Sequence, residues 1–198
     1  MFVKICGLKT PQDVAATVES GADAMGLVLS RTSPRAVTVE QASELVAAAA
    51  GALTTVLVVH DLAIDDVIAA AQQAAVDVVQ LHGYDEADTR VAAAAGLRVW
   101  RAASAAAGDT RVGEFGEEAL LLDSHTPGSG TPWDLSTLTE RPEGRWMLAG
   151  GLDPSNVAEA IRVAQPWGVD VSSGVESTRG TKDHARIRAF VAAARESH

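Results

Sequence analysis

The chain holds one cysteine, Cys6, and it closes a strand-like run near the first residue, Phe2-Val3-Lys4-Ile5-Cys6, with Gly7 next. Side chains alternate across a strand, so Lys4 and Cys6 share one face while Val3 and Ile5 share the other. A thiol has an ordinary pKa of about 8.5 and works as a base where its thiolate is favoured. A lone cysteine is also often a small buried hydrophobe, and the residue type leaves both readings open. Asp123 closes a similar run, Ala119-Leu120-Leu121-Leu122-Asp123. Strand parity puts its carboxyl on the face of Leu121. In a desolvated mouth such a carboxyl has its pKa raised and can act as a general acid; an aspartate that merely opens a turn is the plainer reading.

Two further run ends carry bare backbone. Gly150-Gly151 follows Leu148-Ala149, and Ser172-Ser173-Gly174 follows Val171. Amide N–H groups at Gly150, Gly151, Ser173 and Gly174 suit a phosphate, with tight turns as the structural alternative. Ser33-Pro34-Arg35 offers a fixed turn with a guanidinium able to grip a carboxylate through two parallel hydrogen bonds, or else a solvated surface arginine. His60, Asp61 and His82 have the donor types of a metal site, and His82 reads equally well as an imidazole hydrogen-bonded at a rim. His125-Thr126-Pro127-Gly128-Ser129-Gly130-Thr131 reads as a loop able to close over a ligand.

The elements that must position these groups alternate regularly. Strand candidates are Phe2–Cys6, Ala24–Leu29, Thr55–His60, Val76–His82, Leu97–Ala102, Ala119–Asp123, Arg145–Ala149 and Val169–Ser172, with a helical pattern after most of them. Thr10-Pro11-Gln12-Asp13 places a capping hydroxyl before a proline start, Thr38-Val39-Glu40-Gln41 has capping-box spacing, and Asp153-Pro154 repeats the proline signal. Val157, Ala160, Ile161 and Ala164 make an apolar helix face, as do Ile187, Phe190, Val191 and Ala194. Eight βα units of about 25 residues predict an α/β fold, a single-domain (β/α)₈ TIM barrel over residues 1–198, near the lower size limit for that architecture. An open doubly wound sheet would more usually have five or six strands. The weakest units are the fifth and sixth, where Ala103–Gly116 and Thr131–Leu138 offer short or poor helices. Chemistry in such a barrel collects at the strand ends. Arg101 ends one of those strands and joins the candidates.

Bulk properties narrow the partners. The chain is 47% hydrophobic and 21% charged, as in an ordinary soluble domain. No apolar run approaches the roughly 18 residues of a membrane span, and one cysteine makes no internal disulfide; the expected address is the cytoplasm. A net charge of −10 argues against nucleic acid and anionic membranes. It leaves room for one small phosphorylated ligand held by backbone amides.

Taken together, Lys4-Ile5-Cys6-Gly7-Leu8, Gly21-Ala22-Asp23-Ala24-Met25-Gly26, Ser33-Pro34-Arg35, Val79-Gln80-Leu81-His82-Gly83, Leu121-Leu122-Asp123, Leu148-Ala149-Gly150-Gly151-Leu152 and Val169-Asp170-Val171-Ser172-Ser173-Gly174-Val175-Glu176 resemble the phosphoribosylanthranilate isomerase family, in that family's order and across nearly the whole chain. The resemblance implies a tryptophan-biosynthesis barrel working without metal or organic cofactor, as a monomer or homodimer. Its reaction would be an Amadori rearrangement of N-(5-phosphoribosyl)anthranilate to 1-(2-carboxyphenylamino)-1-deoxyribulose 5-phosphate. By matching position it implies Cys6 as general base, Asp123 as general acid and Arg35 as the group holding the anthranilate carboxylate. Two stretches depart from the family pattern: Gly128-Ser129-Gly130-Thr131 with Trp133-Asp134-Leu135, and Arg179-Gly180 where a proline-glycine is usual. The rival readings are a histidine-biosynthesis sugar isomerase, which resembles this chain but carries aspartate at the Cys6 position, a metal-dependent sugar-phosphate epimerase, and a barrel that only binds a phosphorylated metabolite.

One expectation comes from parity. Lys4 faces the barrel interior, where an unpaired ammonium is costly. The eighth strand lies beside the first, and Asp170 shares a face with Ser172. Lys4 and Asp170 are expected to pair, with the cation favouring the Cys6 thiolate.

Overall fold

A computed structural model describes residues 1–104, 111–123 and 141–197. Short runs rich in Val, Leu and Ile form the strands β1 (Phe2–Cys6), β2 (Ala24–Leu29), β3 (Thr54–Val59), β4 (Val78–His82), β5 (Arg98–Ser104), β6 (Ala119–Asp123), β7 (Trp146–Leu148) and β8 (Gly168–Val171). Each pairs in parallel with the next, and β8 returns to β1, so the sheet closes as an eight-stranded barrel. The described helices are α1 (Pro11–Glu19), α2 (Val39–Ala49), α3 (Ile64–Ala74), α4 (Glu86–Ala94), α5 (Val157–Ala164) and α6 (His184–Glu196). This is the (β/α)₈ architecture expected from the alternation of runs. A small antiparallel hairpin, β9 (Glu176–Thr178) and β10 (Thr181–Lys182), is inserted between β8 and α6.

Capping decides several helix starts. Thr10 and Asp13 exchange side-chain and backbone hydrogen bonds at the start of α1, and Thr38 and Gln41 do the same for α2. The proline signal at Asp153-Pro154 marks a turn instead of a helix start. Asp153 Oδ1 accepts from the N–H groups of Ser155 and Asn156, and Asn156 Oδ1 accepts from Asp153 N–H. Those local bonds hold residues 153–156 in a turn, so α5 begins at Val157.

Strand alternation sorts the apolar side chains into two cores. Ile5, Leu27, Leu57, Leu81, Leu120 and Leu122 point outward and pack under the helices, against Val157, Ile161, Ile187 and Phe190 among others. Ala24, Val56, Val78, Trp100, Ala119, Leu121 and Met147 fill the barrel interior. Phe2 closes the lower end, stacked on Trp167 with ring centroids 4.4 Å apart and edge-on to Trp100 at 5.9 Å. With the floor filled, the interior opens only at the carboxyl ends of the strands.

In the fifth unit, residues 112–115 form turns where a crossover helix would pack. Arg101 explains how that segment is held. It pairs in register with the outward-facing Leu81, bonds Glu117 Oε1 at 2.9 Å and the Arg111 carbonyl at 2.9 Å, and stacks over Phe115. Arg101 therefore faces away from the mouth, a correction to its inclusion among the strand-end candidates. Thr131–Leu138 and the His125–Thr131 loop lie outside the described residues.

Candidate active site

Gly26 on β2 has no side chain, and the space goes to two chemical groups of β1. A Cβ there would sit 2.8 Å from Cys6 Sγ and 3.1 Å from Lys4 Nζ. Lys4 is completely buried and its ammonium bonds Asp170 Oδ1 at 2.8 Å, the pairing that parity and the β1–β8 register require. Its ammonium stays protonated: burial disfavours the charge, but Asp170 and then Cys6 more than compensate and raise its pKa. Around Cys6 the balance differs. Burial pushes the thiol up, Lys4 pulls it down, Asp170 pushes it up again and Lys182 pulls it down, and the net result lies above the ordinary value. Lys4 acts in the direction expected of it, yet desolvation outweighs it, so Cys6 is a thiol at neutral pH.

Removing one partner of a buried ion pair leaves an uncompensated charge and costs about 3–5 kcal/mol. Lys4→Met is expected to destabilise the fold by about that amount in urea denaturation, through the stranded Asp170 carboxylate. Asp170→Asn in the same background should recover most of the loss. Full stability in the single variant would remove this account of the pair.

A cavity of about 450 Å³ opens at the strand ends, and Cys6, Arg35, Asp123, Gly150, Gly151 and Ser173 all line it. Asp123, half-buried, ends β6 on the wall across the mouth from β1. Gly174 stands just behind the lining. A Cβ at that position would be 1.9 Å from the Leu152 carbonyl oxygen, so a bare residue lets the loops after β7 and β8 touch. Asn156 Nδ2 fixes the β7 loop by donating to the Gly151 carbonyl at 2.8 Å. Among the described residues, the N–H groups of Gly150, Gly151, Ser173 and Gly174 meet no protein acceptor, as an anion cradle requires.

Arg35 reaches the cavity from the turn after β2, and its position depends on the hairpin. Its Nε and Nη2 bond Glu176 Oε1 and Oε2 at 2.6 and 3.0 Å. A Cβ on Gly7 would meet Arg35 Cδ at 2.7 Å, so the guanidinium stem lies over the turn that follows Cys6. One edge of the fork is held by Glu176, and among the described residues Nη1 meets no acceptor. Glu176 also accepts from Gly180 N–H at 2.9 Å and from Lys182 Nζ at 3.0 Å. Burial raises the Glu176 pKa, but these bonds from Arg35, Gly180 and Lys182 prevail and hold it at about 2. A carboxyl whose folded pKa lies below its unfolded value of 4.5 gives stability that is complete above pH 4.5 and is lost as pH falls toward 2. Glu176→Gln is expected to shrink the stability difference between pH 5 and pH 3 in denaturant titrations. An unchanged difference would mean Glu176 titrates normally.

His60 and His82 line the same cavity without forming a metal cluster. His60 Nδ1 lies 3.3 Å from the His82 carbonyl, and Asp61 accepts from Ser30 Oγ and Arg31 N–H. Among the described residues no three His, Cys, Asp or Glu side chains converge as ligands. Burial and then the His60 charge lower the His82 pKa, so its ring is neutral at pH 7. Lys182 carried no signal of its own in the sequence and Glu176 entered only as the end of a family-like stretch, since both sit in a hairpin outside the eight repeats. Gln80 could have been found: it shares the inward face of β4 with His82.

A closed eight-stranded α/β barrel with its chemistry gathered at the carboxyl ends of the strands defines a (β/α)₈-barrel enzyme. The family model for N-(5'-phosphoribosyl)anthranilate (PRA) isomerase matches residues 3–193, and the chain belongs to that family. It is 41% identical to the N-(5'-phosphoribosyl)anthranilate isomerase of Magnetococcus marinus, over 98% of this chain and 95% of that one. The crystal structure of TrpF from Jonesia denitrificans superposes with a TM-score of 0.93 at 50% identity, covering 100% of this chain and 98% of the other. A phosphoribosyl anthranilate isomerase solved with reduced 1-(o-carboxyphenylamino)-1-deoxyribulose 5-phosphate is 30% identical, with a TM-score of 0.84 and 99% of each chain covered. No described helix is long and apolar enough to cross a membrane.

Proposed function

We propose that this chain converts N-(5'-phosphoribosyl)anthranilate to 1-(2-carboxyphenylamino)-1-deoxyribulose 5-phosphate by general acid–base catalysis, with no metal or organic cofactor. The observation that carries the proposal is a single cavity lined by a thiol, a carboxyl, a guanidinium and bare glycine amides, from Cys6, Asp123, Arg35 and Gly150-Gly151. Asp123 gives a proton to the ribose ring oxygen; the bond from that oxygen to C1 breaks, and the amine lone pair forms an iminium. Cys6, as thiolate, takes the C2 proton, and the C–H electron pair becomes the C1–C2 double bond as the iminium nitrogen regains its lone pair. The enolamine then moves its hydroxyl proton to C1 and becomes the ketone. The N–H groups of Gly150, Gly151, Ser173 and Gly174 hold the phosphate, and Arg35, through the Nη1 side left by Glu176, holds the carboxylate. Anchoring both ends keeps the reacting carbons between base and acid, an orientation effect.

The experiment is turnover by the purified chain, followed as the change in anthranilate-type fluorescence, with and without exhaustive chelation. Conversion at equal rates in both arms is expected. Tight binding with no conversion would leave only a metabolite-binding barrel. Conversion abolished by chelation would favour the epimerase-like alternative, and faster conversion of the histidine-pathway aminoribosyl phosphate would reassign the substrate.

A further inference from the structure

Gln80 is only 3% exposed and lines the cavity, yet its Oε1 has no hydrogen-bond partner among the described residues. On β4 it lies between Val78, which belongs to the barrel plug, and His82 at the rim. Its strand neighbours in register are Val58 and Trp100, which offer hydrocarbon and an indole beside it. Asp170, which lines the same cavity, is engaged by Lys4. A buried carbonyl oxygen left unsatisfied is destabilising, and a leucine of similar size would suit the apolar neighbours better. An unpaired buried polar group of this kind calls for a reason, and the cavity in front of it supplies one.

We propose that Gln80 binds substrate, its amide reserved for a hydroxyl on the sugar chain laid between Cys6 and Asp123. The inference rests on the proposed function and adds the part of the substrate that this wall reads. Oε1 needs a donor and Nε2 an acceptor. A phosphate dianion or a carboxylate has no hydrogen to give Oε1, and an arylamine N–H serves only one end. A hydroxyl does both, and the sugar carries the hydroxyls. A site built to bond a hydroxyl discriminates strongly because its own polar group is otherwise left bare.

Gln80→Leu and Gln80→Met test this with three readouts: kcat/KM, affinity for reduced 1-(o-carboxyphenylamino)-1-deoxyribulose 5-phosphate, and melting temperature. Both variants are expected to lose about 10- to 100-fold in kcat/KM and in analogue affinity, with a melting temperature equal to or above wild type. A merely structural glutamine would lower the melting temperature and leave affinity alone. If wild type turns over the substrate and either folded variant binds the analogue within twofold of it, Gln80 does not touch the ligand and the inference falls by itself. If wild type neither binds nor converts these compounds, the proposed function falls and takes this one with it.

Discussion

Cys6→Ala is expected to lower kcat by about 10²- to 10⁴-fold, the range that a positioned proton transfer supplies, while the reduced product analogue still binds. The side chain is small and almost fully buried, so its loss should leave Lys4, Asp170 and Arg35 in place and remove only the atom proposed to take the C2 proton. Cys6→Ser should fare little better, because an alkoxide is far less accessible than a thiolate. The pH profile makes the prediction sharper. A base must be deprotonated, and burial holds this thiol above its ordinary value in the free protein. The kcat/KM of wild type should therefore climb with pH through neutrality and beyond 9.0, since that ratio reports the free enzyme. Asp170 pushes the thiol up, so Asp170→Asn is expected to move the rising limb to lower pH. Serine or alanine at position 6 with kcat within threefold of wild type would sink the assignment.

How much of this was legible from the chain alone follows from which interactions are periodic. Strand parity repeats every two residues, and that sufficed to put Lys4 beside Asp170, to aim Cys6 and Asp123 into one mouth, and to count eight strands. The same reasoning stopped at groups whose placement depends on segments outside the strand repeat. Arg101 ends a strand on the alternation of runs, but its outward direction shows only in the folded chain, where it pairs in register with Leu81 and is engaged by Glu117 and Phe115. Glu176 and Lys182 belong to a hairpin that interrupts the repeat, and only the folded chain shows Glu176 holding Arg35 and Lys182 bonding Glu176 while pulling the Cys6 thiol down. The sign of the thiol shift was also hidden. Lys4 on the same strand face suggested a stabilised thiolate, whereas desolvation, a property of the finished cavity, outweighs it.

Asp123→Asn is expected to reduce kcat by about 10²- to 10⁴-fold and to leave the affinity for the reduced analogue close to wild type. Asparagine keeps the shape and can donate an N–H bond to the ring oxygen, but it has no proton to transfer, so a bound ring stays closed. The analogue is already open and asks nothing of the acid, which separates binding from chemistry in one pair of measurements. The double variant carries the stronger argument. In the proposed mechanism Cys6 and Asp123 act on consecutive steps of one rearrangement, so removing either would block the whole path and leave only the rate due to positioning by Arg35 and the glycine amides. Residues that function as a unit are grossly non-additive. Cys6→Ala with Asp123→Asn should therefore be about as slow as the slower single variant, not slower by the product of both factors. Multiplied losses would mean that the two groups contribute independently to one rate-limiting transition state, and their assignment to consecutive steps would fall.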